Sequence, residues 1–183
     1  MMKRMIAMVL AILMAMGICA CGAAPEDGEM ITVKLPVSFF GETPAEEIAA
    51  GAEKNGYADC SVTEDGFVLY TMTKTRHEEE CRRLSKELQT SVDSLLKGAD
   101  AVESFRDIVC AEDFSVFDIY VDAAKYTVVD SLYGMGFMAT GAYYQMYAGK
   151  DPQKVDVVVN FVDKDTEQVL DTASYREILA SEQ

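Results

Sequence analysis

The chain has 183 residues and a formal net charge of −15 at pH 7, with 31 acidic and 16 basic residues. Nucleic acids and anionic lipid surfaces are also negatively charged, so the overall charge of the chain would repel them. This argues against both as binding partners. The length allows one domain of ordinary size after a short N-terminal leader.

Residues 1–20 are predicted to be a signal peptide. Lys3 and Arg4 give it a positive start, and residues 5–18 form an unbroken apolar run. That run is shorter than the roughly 17–25 residues of a membrane-spanning helix, and a short apolar run after basic residues is typical of an export signal. The sequence therefore predicts that the folded part of the protein lies outside the cytoplasm.

The end of the leader resembles the lipobox of bacterial lipoproteins. Ile18, Cys19 and Ala20 would precede the cut and Cys21 would follow it, although the commonest pattern has Leu and then Ala or Ser in the first two positions. If Cys19 were the acceptor, bulky Ile18 would occupy the position before the cut, where a small residue is usual. The resemblance implies a diacylglyceryl group on the Cys21 thiol and often a further acyl chain, such as palmitate, on its amino group. An ordinary secretory signal cut after Ala20 and an uncleaved N-terminal helix are the alternatives.

Residues 21–30 are predicted to be the lipidated cysteine and a flexible tether, because they are small, acidic and interrupted by Pro25. The stretch 22–29 reaches at most about 26 Å when extended, so the domain would stay close to the membrane. Loss of the two basic leader residues would lower the net charge from −15 to −17. Residues 31–183 are predicted to form a single domain.

Hydrophobic periodicity predicts one strand followed by three helix-strand-strand units. The helix starts are predicted from N-cap residues at Thr43, Thr75 and Asp122, and Gly98 is the predicted stop of the second helix. In chain order the predicted elements are a strand at 31–39, a helix at 44–54, a hairpin at 57–63 and 67–73, a helix at 75–97, a hairpin at 105–110 and 114–121, a helix at 123–148, and strands at 155–161 and 168–172.

This order, β-α-β-β-α-β-β-α-β-β, predicts the α+β class: a mainly antiparallel sheet with three helices packed on one face. The third helix has two apolar stripes, so it should be covered on two sides, in the middle of the helical layer or by a partner protein. Asp130, Gln145 and three glycines argue against its crossing a membrane. The stripes are Val128, Leu132, Met135, Ala139, Ala142 and Met146, and Tyr126, Val129, Tyr133, Phe137, Thr140, Tyr144 and Tyr147.

No catalytic, cofactor-binding or metal-binding residue is predicted. His77 is the only histidine and has no flanking catalytic pattern; it and Cys81 are four apart and could face one another, but a surface histidine above a core cysteine is the preferred interpretation. Asp163, Asp165 and Glu167 have partial calcium-loop spacing, but the required glycine and final glutamate are missing, which favours a hairpin turn.

Cys60, Cys81 and Cys110 remain after removal of the leader, an odd number. Export permits a disulfide, yet all three lie on apolar stripes, where a free cysteine behaves as a small hydrophobic residue. Free thiols are favoured, and a single bridge with one thiol left over is the alternative.

Tyr143, Tyr144 and Tyr147 near the end of the third helix are the candidate partner surface, because tyrosine combines an apolar ring with a polar tip. A place in the core or just beneath the surface is the commoner role for such residues.

Three stretches resemble uncharacterised small lipoproteins of Gram-positive bacteria: VKLPVSFFG at 33–41, YYQMYAGKDP at 143–152 and VDVVVNFVD at 155–163. The resemblance implies no assigned activity, substrate or site residue. With the predicted anchor, it makes a binding or accessory domain on the extracytoplasmic face of the cell membrane the leading hypothesis. A carboxylate-dependent cell-surface hydrolase at the acidic turns and a structural subunit of an envelope complex are the alternatives.

Overall fold

The structure is a computed structural model that describes residues 28–181. It has the predicted α+β class and the predicted order of elements, with one further short helix after the last strand. Two 3₁₀ turns are also present: Val37–Phe40 follows the first strand, and Pro152–Lys154 follows the third helix. The elements are β1 (Met30–Pro36), α1 (Ala45–Lys54), β2 (Asp59–Val62), β3 (Phe67–Thr73), α2 (Lys74–Lys97), β4 (Phe105–Cys110), β5 (Val116–Val121), α3 (Val128–Tyr147), β6 (Val158–Asp163), β7 (Val169–Ser174) and α4 (Tyr175–Ser181).

The described strands form two sheets where the sequence predicted one. The first sheet is antiparallel, in the order β1-β3-β2, and the second has the order β4-β5-β6-β7. In the second sheet β5 and β6 are parallel, because α3 carries the chain back across the sheet between them. Periodicity identifies strands and hairpins, but it does not show which hairpins share a sheet, and this accounts for the difference.

Helix α3 packs between the two sheets, and two of its glycines bring it close to the second sheet. An ideal Cβ on Gly134 would lie 3.3 Å from the Phe161 ring, and one on Gly141 would lie 2.6 Å from the Phe114 carbonyl oxygen. On another side, the C-terminal turns of α3 contact the first sheet, mainly through β1. The C-terminal half of this helix is covered on two sides, as predicted, but the cover comes from the two sheets, so the predicted place in the middle of a layer of three helices on one face of a sheet is wrong.

The predicted start of α3 at Asp122 is wrong, since the helix begins at Val128. Asp130 Oδ2 accepts hydrogen bonds from the backbone N–H of Thr127 at 2.8 Å and from its hydroxyl at 3.2 Å, which fixes the first turn. Asp122 caps a separate turn just upstream, where its Oδ1 accepts from the Ala124 N–H at 3.2 Å. Asp122 directly follows β5, so the sequence pattern favoured it over Thr127, the observed N-cap five residues later.

The other two helix starts also differ from prediction. Helix α2 begins with Thr73 as its N-cap in place of Thr75, and the Thr73 hydroxyl accepts from the Arg76 N–H at 3.3 Å. Helix α1 has Pro44 at its N-cap and no side-chain cap, so the predicted N-cap at Thr43 is wrong. Shifts of one or two residues at helix ends leave the fold unchanged.

Both edge strands of the second sheet are protected. The pairing of β4 shifts between Phe105 and Asp107, and a similar shift interrupts the pairing of β6 with β7. Next to each shift an aspartate accepts from the following backbone N–H: Asp107 from Ile108 and Asp171 from Thr172, both at 2.9 Å. A bulge and an occupied donor make a strand edge a poor template for another strand.

Gly141→Ala is expected to lower the free energy of unfolding by about 1–3 kcal/mol, because the new methyl group would press on the Phe114 carbonyl oxygen. Gly136→Ala is the matched control in the same helix: its Cβ would meet nothing within 4 Å, so the gain in helix propensity should stabilise the protein by up to about 1 kcal/mol. Urea unfolding measures both, and effects of the same sign would contradict the packing of α3.

Candidate functional site

Cys21, the predicted lipidation site, lies outside the described residues, and its modification stays a prediction. The described chain starts seven residues after it, at Gly28, and Glu29 is hydrogen-bonded to the domain. The Glu29 carbonyl oxygen accepts from the Lys74 N–H at 2.8 Å, and the two side chains form an ion pair at 2.8 Å. The predicted tether therefore reaches the domain at the start of α2.

Tyr147 lies in the core, with 2% of its surface exposed. Its hydroxyl donates to Met72 Sδ at 3.3 Å and lies 3.1 Å from the Tyr57 hydroxyl, which is then the donor in that pair. Burial raises the pKa of the Tyr147 hydroxyl, and the neighbouring Tyr57 adds to the increase. This tyrosine joins α3 to the first sheet.

Tyr143 and Tyr144 are half-buried on different sides of α3. The Tyr143 ring packs edge-on against Phe39, which follows β1, with ring centres 5.6 Å apart. The Tyr144 ring packs edge-on against Phe114, which precedes β5, at 4.8 Å. The three tyrosines predicted as a partner surface do not share one exposed face, and their contact with a partner stays a prediction.

His77 and Cys81 face one another as their spacing suggested, with Nε2 and Sγ 3.7 Å apart. His77 Nε2 also lies 2.8 Å from the Tyr147 carbonyl oxygen, which can only accept, so this nitrogen carries a proton and has no lone pair for a metal. Among residues 28–181 no group of three histidine, cysteine or acidic side chains could hold a metal ion. Through this hydrogen bond His77 links the start of α2 to the end of α3.

All three cysteines of the domain are free thiols, the state that the sequence favoured. Each is half-buried, and burial raises the pKa of Cys60 and Cys81 above the ordinary value and that of Cys110 to about 11. A thiol is nucleophilic only as the thiolate, so these cysteines have low reactivity near neutral pH.

The acidic turns contain carboxyl groups that are easier to ionise than usual. Asp163 accepts from the Thr166 hydroxyl at 2.7 Å, and Asp113 from the Ser115 hydroxyl at 2.5 Å. These hydrogen bonds lower the pKa of both carboxyl groups. A carboxylic general acid needs a raised pKa, so Asp163 and Asp113 are poorly suited to that role.

Glu80 is a buried acid that the sequence did not reveal. It follows two other glutamates near the start of α2, but its carboxylate is buried between Arg76 Nη2 at 3.0 Å and Arg83 Nε at 2.8 Å. Arg83 also pairs with Glu87 at 2.6 Å. The i, i+4 and i, i+3 spacing of these residues was the available signal, and the pairing neutralises the buried charge.

The exposed apolar residues of α3 lie in its first turns. Val128 is 84% exposed, Val129 57%, Leu132 38% and Met135 53%. We call these four residues the α3 stripe. The predicted place in the middle of the helical layer is therefore wrong for this half of the helix, and cover by a partner protein, the alternative, stays a prediction. Toward the C-terminus the same face continues into residues that are buried.

The contacts of α3 with the first sheet and the turn after β1 are made by its last turns. The helix spans about 30 Å, and Tyr143 and Tyr147, near its C-terminal end, contact Phe39 and Met72. Asp130 is the only charged residue of α3, so the helix has no polar face that would indicate which of its apolar residues are exposed. Periodicity therefore indicated an apolar face without showing its uncovered part.

No protein-family model matches the chain, and neither the curated proteins nor the solved structures gave a match. Within residues 28–181, no helix is both long enough and apolar enough to cross a bilayer. The geometry of the described residues is thus the basis for assigning a function.

Raising the pH above about 10 is expected to destabilise the fold progressively. Burial raises the pKa of Tyr57, Tyr70 and Tyr147, and that of Tyr126 to about 12. Unfolded tyrosine ionises near about 10, so ionisation favours the unfolded chain: the stabilisation is complete below that pH and is lost as pH rises through the folded values. Urea unfolding and tyrosinate absorbance across this range measure the effect. A flat stability profile up to about pH 12 would contradict it.

Proposed function

We propose that the protein is a membrane-anchored lipoprotein whose folded domain, on the extracytoplasmic side, binds another protein through the α3 stripe. The observation that carries the binding role is the exposure of four neighbouring apolar side chains on one helix, those of the α3 stripe. The domain acts as a binding or accessory component of a larger assembly at the cell surface.

The free energy available at the α3 stripe supports this role. Complete burial of one aliphatic side chain contributes about 1.5–3 kcal/mol relative to its exposed state. A partner that covered the stripe would recover a large part of that amount for each of the four residues. Contiguous apolar surface of this kind typically marks an interaction site in a soluble domain.

The anchor is supported by the lipobox resemblance at Cys21 and by the short stretch between that residue and Glu29. Eight residues of tether, about 26 Å at most, would restrict the domain to a thin layer above the bilayer. Confinement raises the effective concentration of the domain for a partner in the same layer, so a modest interface is sufficient.

Cys21→Ser is expected to abolish lipidation and membrane retention when the full chain is expressed in a Gram-positive bacterium, because the sulfur that accepts the diacylglyceryl group is lost. Cys19→Ser is the matched control and should change neither, since Cys19 would leave with the leader. Mass spectrometry of the N-terminal peptide and membrane fractionation measure the outcome. An unmodified N-terminal peptide in the wild-type chain would refute the anchor.

Photo-crosslinking in intact cells tests the binding role. A benzophenone amino acid at Met135, within the α3 stripe, is expected to give a discrete crosslinked species of constant mass. The same amino acid at Val109, an exposed apolar residue on the second sheet, should give none. Equal crosslinking at the two positions, or none at Met135, would refute binding through the stripe.

A further inference from the structure

We infer that Asn55 is a deamidation site that the folded end of α1 keeps closed, so that it is modified only when that helix end opens. Glycine follows Asn55 directly in the sequence. Because glycine has no side chain, it does not hinder attack on the preceding residue, and its backbone adopts a wide range of angles. Three features of the structure carry the inference: the hydrogen bonds at the helix end, the backbone angle of Asn55, and the packing of α1.

Asparagine is among the residues that degrade chemically, and its deamidation begins within the chain itself. The Gly56 nitrogen loses its proton to hydroxide and attacks Cγ of the Asn55 side chain. A new C–N bond forms, the bond from Cγ to Nδ2 breaks, and the side-chain nitrogen leaves as ammonia. Water then adds to either carbonyl carbon of the resulting succinimide ring and opens it to aspartate or isoaspartate. The reaction needs water and no oxidant or reductant.

The hydrogen bonds at the end of α1 engage both reacting groups. The N–H of Gly56, whose nitrogen is the nucleophile, donates to the Glu53 carbonyl oxygen at 3.0 Å as part of a Schellman motif. The side-chain amide of Asn55 donates from Nδ2 to the Gly51 carbonyl oxygen at 2.7 Å. A carbonyl oxygen can only accept, so the amide is held with its nitrogen toward the helix. Both hydrogen bonds must break before the ring can close.

The backbone at Asn55 also keeps the reacting atoms apart. The five-membered ring forms only when Cβ of Asn55 and the Gly56 nitrogen lie on the same side of the Cα–C bond. With ψ of Asn55 at 8°, the Gly56 nitrogen instead eclipses the backbone nitrogen of Asn55. Gly56 follows with a φ of 74°, the left-handed conformation that ends the helix. Unwinding of this helix end is therefore required for the reaction.

Packing against the first sheet determines how often the end of α1 opens. Ile48 and Ala52 are the buried residues of α1, and the helix packs mainly on β2. Tyr57 completes the Schellman motif, since its N–H donates to the Ala52 carbonyl oxygen at 3.1 Å. The Tyr57 ring stacks on Tyr70 of β3, with ring centres 4.7 Å apart. These contacts must loosen for the helix end to open, so they limit the rate of modification at Asn55.

Modification opposes closure of the helix end. An aspartate at position 55 has no N–H to donate to the Gly51 carbonyl oxygen, and its charge lies at the negative end of the helix dipole. Isoaspartate adds a carbon to the main chain between Asn55 and Gly56, which disrupts the spacing of the Schellman motif. An opening that is reversible before the reaction therefore becomes persistent after it.

The test follows deamidation of the purified full chain at mildly alkaline pH, by peptide mapping that separates aspartate from isoaspartate. A synthetic peptide with the sequence of residues 50–59 is the unfolded reference. We expect Asn55 to react at least about tenfold more slowly in the folded chain than in the peptide, because only the open state reacts. Equal rates in the chain and the peptide would overturn the inference.

Ile48→Val is expected to raise the rate at Asn55 by about two- to tenfold, because it removes a buried methyl group that holds α1 on the sheet. Val159→Ala is the control: it removes buried atoms from the second sheet and leaves α1 intact, so the rate should not change. Urea unfolding verifies that both variants are folded during the incubation. Equal acceleration by the two variants would assign the opening to global unfolding and overturn the inference, as would an unchanged rate in Ile48→Val.

Asn55→Asp reproduces one product and is expected to speed amide hydrogen exchange in α1 by about tenfold, with exchange in the second sheet unchanged. Ala58→Asp adds the same charge at an exposed position just beyond the helix and should leave exchange in α1 unchanged. Unchanged exchange in Asn55→Asp would overturn the persistence of the open state. The inference is independent of the proposed function, since none of these measurements involves the α3 stripe or the anchor.

Discussion

The close contact between α3 and the second sheet is the constraint on which the rest of the structure depends. At Gly141 the helix backbone approaches the Phe114 carbonyl oxygen so closely that no side chain fits between them. This contact fixes α3 against one sheet and leaves its other apolar side for the first sheet. Because the first sheet covers only the C-terminal turns of α3, the opposite end of the same side remains exposed. The exposed α3 stripe is thus a consequence of how the two sheets divide one helix.

The scarcity of charged residues in α3 allows this helix to pack against both sheets. The chain has nearly twice as many acidic as basic residues, yet α3 contains a single charged side chain, Asp130, which caps the start of its own helix. A helix so poor in charge can pass between two sheets without burying unpaired ions. Where an acid is buried elsewhere, as at Glu80, two arginines neutralise it. The exposed apolar residues of α3 therefore follow from a sequence that keeps nearly all charged residues outside this helix.

Sequence periodicity was sufficient for the class, the hairpins and the order of the elements, because each depends on residues close together in the chain. The Asp-Gly turn at residues 65–66 lies between β2 and β3, as predicted. Sequence periodicity was insufficient to predict the separation into two sheets and the parallel pairing of β5 with β6. Both depend on contacts between residues that are distant in the chain. The same limit applies to the site: the pattern that indicated a buried face at Ala142 is indistinguishable from the pattern at Leu132, where nothing covers it. A tyrosine such as Tyr147 looks equally suited to surface and core until its neighbours are known.

The protected edge strands of the second sheet matter most for protein molecules that are crowded on a membrane surface. Copies anchored as proposed would diffuse in two dimensions, with their sheets at similar heights and frequent encounters between them. Under such crowding, unprotected edge strands would allow the sheets of neighbouring copies to pair edge to edge and to form extended assemblies. The carboxylates of Asp107 and Asp171 occupy the donors that such joining would use. A dense population could then remain dispersed and keep its helical face available for other molecules.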